Sequence, residues 1–194
     1  MVYKVNEVFR SVQGEGIDTG RSAVFIRLAG CSVWCDFCDT DHTCKFKAKE
    51  QELIRMVTDL TTAQGELVVI TGGEPLEQNC RPLYTALSSL RYDVTFETSG
   101  TVRFPAWCPT TRLNVSPKGN WHVYDDTCVR SLKLLYPFQE RATPWDVRHF
   151  DALWYGIQPI DGVEGSFDGA LTEVRRYGPP WRVSVQTHKL VGVR

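Results

Sequence analysis

The chain has 194 residues, 42% of them hydrophobic, which is enough for one domain with a real core and too short for two. A formal net charge of −1 and an isoelectric point of about 6.4 give no electrostatic case for gripping a nucleic-acid backbone, so the expected partner is a small molecule. No apolar run approaches the roughly 20 residues of a membrane span, and Met1-Val2-Tyr3-Lys4-Val5-Asn6-Glu7 lacks the basic and apolar regions of a secretory signal, so no membrane partner and a cytoplasmic location are expected.

In chain order, residues 2–12 and 22–28 alternate or run apolar as strands. A helix is predicted over 49–60, where Leu53, Met56, Val57 and Leu60 recur at helical spacing. The segment Cys31-Ser32-Val33-Trp34-Cys35-Asp36-Phe37-Cys38 therefore lies on a loop between a strand and a helix. The β-branched run 66–71 reads as a buried strand that ends abruptly in Gly72-Gly73-Glu74-Pro75. A helix follows around 80–90, then strands near 93–97, 112–115, 132–135 and 152–160, a helix over 168–176 and a last strand over 182–186. This alternation predicts a parallel α/β architecture. A complete eight-stranded barrel takes about 250 residues, so a single domain forming an incomplete, TIM-type barrel is predicted, with short or missing helices over 104–131.

The cysteine spacing gathers three thiolates into one short loop. Thiolates are the usual protein ligands of iron–sulfur clusters, and a 4Fe–4S cube held by three of them keeps one iron free for a substrate or cofactor. A structural zinc site completed by Cys44 is the plainer alternative, although such sites more often use two spaced pairs. An odd count of seven cysteines suits a reducing compartment, and Cys80, Cys108 and Cys128 read as unpaired small core residues. The cysteine triplet with Phe37 before its last member, followed by the strand ending in Gly-Gly-Glu-Pro, resembles the radical S-adenosylmethionine (SAM) superfamily. That resemblance implies a cluster on Cys31, Cys35 and Cys38, and SAM chelated by the open iron. It also implies glycine backbone close to the SAM amino group, and an arc of about six parallel strands with cluster and cofactor at their carboxyl ends.

Four further segments narrow the family: Phe9-Arg10-Ser11-Val12-Gln13-Gly14-Glu15-Gly16; Gly20-Arg21 ahead of the strand bearing Arg27; Cys38-Asp39-Thr40-Asp41; and Gln186-Thr187-His188-Lys189. Together they resemble the 7-carboxy-7-deazaguanine synthase family, from the first strand to the last residues. The resemblance implies a lyase that converts 6-carboxy-5,6,7,8-tetrahydropterin to 7-carboxy-7-deazaguanine with loss of ammonia, a step toward queuosine and related deazapurines. It implies SAM and magnesium (Mg2+) beside the cluster, a homodimer, and an external one-electron reductant such as flavodoxin. It places Val12, Gln13, Gly14, Glu15, Arg27, Thr71, His188 and the carboxylate of Arg194 against the substrate, and the Thr40 hydroxyl on magnesium. It assigns SAM contacts to Phe37, Cys38, Asp39, Gly73, Ser116, Pro117, Lys118, Gln158, Pro159, Ile160 and Asp161.

The residue chemistry suits those roles. A pterin presents adjacent ring N–H and amino donors that one carboxylate, here Glu15, accepts in bidentate fashion. Strand alternation puts Arg27 on the face of Phe25, where its charge needs a partner and its planar fork fits a carboxylate. Magnesium keeps several waters and takes few protein ligands, so one hydroxyl beside substrate oxygens suffices. Without the family, residues 13–16 would read as a glycine-rich turn with Glu15 in solvent, Asp39 and Asp41 would be the metal guesses, and Thr40 would only cap its loop. The implied path runs from electron donation to SAM, through a 5′-deoxyadenosyl radical that takes hydrogen from C6 of the pterin, to ring contraction. A glycyl-radical-activating enzyme is the nearest rival, against which the Gln-Gly-Glu-Gly segment speaks. A zinc-stabilised binding module is the rival from another class.

Overall fold

The computed structural model describes residues 1–63, 65–119, 121–122 and 127–193. The chain runs β1 (Val2–Val12), β2 (Ser22–Leu28), β3 (Phe46–Lys49), α1 (Glu50–Leu60), β4 (Leu67–Gly72), α2 (Arg81–Ser89), β5 (Asp93–Thr98) and β6 (Leu113–Val115). It continues through β7 (Cys128–Val129), β8 (Ser131–Tyr136), β9 (Asp151–Ala152), β10 (Tyr155–Pro159), α3 (Ser166–Tyr177), β11 (Trp181–Val183) and α4 (Thr187–Leu190). Nine strands form one sheet in the order β11-β10-β8-β6-β5-β4-β2-β1-β3, while β7 and β9 pair separately. Every pairing from β2 to β11 in the main sheet is parallel. Spatial order thus follows chain order, as in a barrel, but β3 and β11 do not meet, and the sheet stays an open arc.

The expected six parallel strands are present, with the short β11 as a seventh. Strand β1 pairs antiparallel with both β2 and β3, a direction that side-chain periodicity does not encode. Among the described residues, the stretch from β5 to β8 contains one 3-10 turn at Thr110–Arg112 and no α-helix, as the length argument required. The strand expected over 152–160 divides into β9 and β10, and the last one is shorter than expected. No helix among the described residues is long and apolar enough to cross a membrane.

Both faces of the parallel strands are covered, and alternation sorts their side chains. On the outer face Ile26, Ile70, Phe96, Leu113, Val115, Leu132 and Leu134 are fully buried, in one core with Leu53 and Val57 of α1 and Leu83 and Leu87 of α2. Met56, expected on that stripe, is 37% exposed, so the buried face of α1 is narrower than its sequence pattern. On the concave face Ala23, Leu67 and Val69 pack with Phe25 as a small apolar floor. One step further along, the register sets Arg27 beside Thr71 and Glu97 beside Asn114. Slipping any strand by one residue would exchange Ile26, Ile70 or Phe96 for these polar neighbours, so burial of about 1.5–3 kcal/mol per large apolar side chain fixes which residues face inward.

Candidate active site

The carboxyl ends of the parallel strands open onto a cavity of about 580 Å³, a size typical of small-molecule sites. Its wall includes every site residue expected from the sequence except two. Pro117 is buried between Ser116 and Lys118, which both line the cavity. Arg194 lies outside the described residues.

Cys31, Cys35 and Cys38 line one side of the cavity on the loop after β2, which tightens where the Cys38 amide donates to the Cys35 carbonyl at 3.0 Å. The thiols face carbonyls, Cys31 that of Val33 at 3.4 Å and Cys38 that of Thr40 at 3.8 Å, while Cys44 turns to Phe46 at 3.4 Å. Among the described residues no three Cys, His, Asp or Glu side chains gather around one point, as a single ion requires. A four-iron cube takes each thiolate at a different corner, so the three-thiol loop fits a cluster as a donor set. Burial pushes the Cys31 and Cys35 thiols up, so loading a cluster releases protons.

The glycine turn after β4 is packed against this loop. The Gly73 amide donates to Leu28 O at 3.2 Å and the Glu74 amide to Gly30 O at 3.0 Å. A Cβ on Gly73 would lie 2.1 Å from Gly30 O and 2.6 Å from Cys31 Cβ. Glycine is therefore demanded here by contact with the cysteine loop, a reason different from the cofactor approach expected from the motif. Glu74, 2% exposed, accepts from Thr98 Oγ1 at 2.9 Å, Ser99 N at 2.8 Å and Ser99 Oγ at 2.6 Å, tying the turn to the end of β5. Across the cavity, Ser116 Oγ is buried without a hydrogen-bond partner among the described residues, and burial followed by repulsion from Lys133 pushes the Lys118 pKa down. An orphaned hydroxyl and a desolvated ammonium fit a polar, anionic cofactor group.

The substrate side centres on Glu15. Burial alone would raise its pKa, but the ion pair with Lys133 and hydrogen bonds from Gln186 Nε2 (2.7 Å) and Gln158 Nε2 (3.1 Å) outweigh it and hold Glu15 at about 2. Three of the roughly four acceptor positions of the carboxylate are thus engaged, so a bidentate grip on a ligand requires one donor to withdraw. The following turn, Gly16–Asp18, is anchored beneath by buried Asp18, which accepts from Arg130 at 2.5 and 2.7 Å and from Arg21 at 2.5 Å. A Cβ on Gly14 would fall 1.9 Å from His188 Nδ1, so glycine there makes room for the imidazole. Burial pushes His188 down, favouring the neutral ring. Lys189 Nζ reaches Asp39 at 2.6 Å and Asp161 at 2.8 Å, pinning α4 across the cavity mouth. Thr40 Oγ1 sits 3.4 Å from Asp39 Oδ1 on the same wall.

Arg27 donates through Nε to Glu7 at 2.9 Å and lies 5.7 Å from the Phe9 ring centre, which stacks on Phe25 at 5.1 Å. Among the described residues its terminal amino groups make no hydrogen bond. Sequence reasoning placed β5 and β8 but assigned nothing to Glu97 or Lys133, both on the cavity wall. For Lys133 a signal was available, a lone ionisable residue between Leu132 and Leu134 in an apolar strand, whereas Glu97 stands before Thr98 in a strand that also carries Asp93.

A family model described as a 4Fe–4S single cluster domain matches residues 12–102. The chain is 35% identical over 213 aligned residues to a 7-carboxy-7-deazaguanine synthase of Caulobacter vibrioides, 36% over 218 to one of Bradyrhizobium diazoefficiens and 31% over 229 to one of Escherichia coli. Each alignment covers the whole of both chains. The crystal structure of QueE from Escherichia coli superposes with a TM-score of 0.71 at 25% identity, over 96% of this chain and 94% of that one.

Proposed function

This chain belongs to the 7-carboxy-7-deazaguanine synthase family, and from that membership we propose that its cavity takes 6-carboxy-5,6,7,8-tetrahydropterin and converts it to 7-carboxy-7-deazaguanine with loss of ammonia. One observation carries this reading: a single cavity is walled at once by three thiols, by Gly72 and Gly73 of the glycine turn and by the segment of Gln13, Gly14 and Glu15, with His188 brought against Gly14. The chemistry supplied by a 4Fe–4S cluster and SAM, when bound, is one-electron cleavage of the sulfonium bond and hydrogen removal from C6 of the substrate.

The cluster is held by Cys31, Cys35 and Cys38. By the family resemblance, SAM would be held by Phe37, Cys38, Asp39, Gly73, Ser116, Pro117, Lys118 and the loop from Gln158 to Asp161. Arg27 offers its terminal amino groups to the substrate carboxylate, while the Phe9–Phe25 stack gives that end of the cavity an apolar side. Ionised Glu15 accepts from the ring N–H and amino group, with Gln186 moving aside. Neutral His188, the strand-end Thr71 and the backbone of Val12, Gln13 and Gly14 complete the orientation of the ring. Thr40 would offer its hydroxyl to magnesium, which would help orient the substrate. With α4 latched by Lys189 to Asp39 and Asp161, the segment limits water at a site where a carbon radical must survive. The same reading includes a homodimer, an external one-electron reductant such as flavodoxin, work in the cytoplasm, and the terminal carboxylate of Arg194 on the substrate, all resting on the family resemblance.

The test is anaerobic incubation of iron-loaded protein with reductant, SAM and the carboxypterin, followed by mass analysis. The expected product is the carboxydeazaguanine with ammonia released. Cleavage of SAM without that product would remove the substrate assignment, and purified protein carrying zinc instead of iron and sulfide would remove the chemistry.

A further inference from the structure

The cavity wall carries three glutamates, and beyond Glu7, which pairs with Arg27, it sorts the other two differently. Glu15 holds the Lys133 ammonium and two amide donors. Glu97, at the end of β5, has among the described residues one hydrogen bond, from Gln13 Nε2 to its Oε1 at 3.0 Å. It is half-buried, and its register partner on β6 is the uncharged Asn114. The charged groups facing it are Lys133 on β8, Glu15 after β1 and Lys118 after β6. Of the two cations, Lys133 is committed to Glu15, and Lys118 spends a hydrogen bond on the Ser116 carbonyl at 3.3 Å. A carboxylate at Glu97 would thus form no ion pair among the described residues and would stand near another negative carboxylate.

We propose that Glu97 is a further substrate-recognition residue that stays a neutral carboxylic acid and donates a hydrogen bond to a ring acceptor, while ionised Glu15 accepts from the ring donors. The inference rests on the pterin reading of the site and deepens it. A pterin edge offers an acceptor carbonyl next to ring N–H and amino donors, and recognising that edge takes one donor and one acceptor. Two ionised glutamates would present acceptors only and repel the carbonyl oxygen. Burial, followed by the opposing pull of Lys133 and the repulsion of Glu15, lifts Glu97 to about 7, so the donor form persists up to neutrality and is lost above it. A polar site that satisfies both kinds of ring atom rejects analogues lacking either one, which is how such pockets gain discrimination.

The test uses cluster-loaded protein under anaerobic conditions without reductant, so binding is read apart from turnover. Calorimetry of the carboxypterin from about pH 6 to about pH 9 should show the dissociation constant of the wild type rising through about 7, toward about tenfold per pH unit. Glu97→Gln, a neutral donor at every pH, should bind with a profile lacking that inflection, and Glu97→Ala should bind about 10- to 100-fold more weakly below it. Infrared difference spectra against Glu97→Gln should show a protonated-carboxyl band that bleaches as the pH rises through the same point. Wild-type affinity without the inflection, a Glu97→Gln variant as weak as Glu97→Ala, or a carboxyl band already absent below neutral pH would each overturn the neutral-acid role. If the wild type makes the deazaguanine product yet shows any of these, only Glu97 has been misjudged. Failure of the wild type to bind the carboxypterin at any pH would overturn the substrate reading and the recognition role together.

Discussion

Replacing Lys133 by Met strands the Glu15 carboxylate in the wall of the cavity. Lys133 and Glu15 have side chains only 12% and 16% exposed, so little solvent is at hand to take over the charge. Glu15 titrates at about 2 in place of its ordinary 4.5, a displacement worth about 3 kcal/mol at neutral pH. Removing one partner of a buried pair costs about 3–5 kcal/mol. Gln158 and Gln186 still donate to Glu15 in the variant, so the lower figure, about 3 kcal/mol, is expected. Because the pKa is depressed in the folded state, this stabilisation is complete above about 4.5 and disappears as the pH falls toward about 2. Urea titrations of wild type and Lys133→Met at matched iron content should therefore differ most at neutral pH and converge in acid, with unchanged m. Adding Glu15→Gln to the variant removes the stranded charge and should recover most of the loss. A cost below about 1 kcal/mol at neutral pH, or a gap that persists into acid, would refute the assignment of Lys133 as the counter-ion that keeps Glu15 charged.

Alanine at any one of Cys31, Cys35 or Cys38 should abolish turnover, whereas Cys44→Ala keeps a redox-active cluster; iron loss on Cys44→Ala with retention on Cys38→Ala would reverse the ligand assignment. Gly73→Ala drives a methyl into Gly30 O and Cys31, so a destabilisation of about 1–3 kcal/mol with reduced iron loading is expected, read from urea midpoints and iron analysis. Gly14→Ala displaces His188 and should weaken substrate binding with little change in iron content; an unaltered KM would remove the imidazole from the site. Thr40→Val keeps the shape of the side chain and should lose activation by magnesium, which a rate titration against the metal checks.

The cysteine loop and the Gly-Gly-Glu-Pro turn were legible because each is local: ligand spacing and turn chemistry are properties of a few consecutive residues. Strand and helix positions followed from periodicity for the same reason, since Leu53 with Val57 and Leu83 with Leu87 mark their helices without reference to anything distant. Boundaries were less secure where a turn interrupts an apolar run, as between β9 and β10, or where four residues close into α4 only because the Thr187 amide and hydroxyl find the Gly14 carbonyl.

What the sequence determined by itself is the kind of chemistry and the architecture that carries it: three thiolates in a loop, a glycine turn after a buried strand, and too few residues to close a barrel. Which charges meet was decided only by the tertiary structure. Glu15 and Lys133 are 118 positions apart, Glu15 and Gln186 171 apart, and Lys189 and Asp39 150 apart. No local preference encodes such pairs. They arise because apolar burial on the outer face of the sheet fixes the register of every parallel strand, and that register turns the remaining polar side chains inward, where low solvent access makes one glutamate a fixed anion and its neighbour a weak acid.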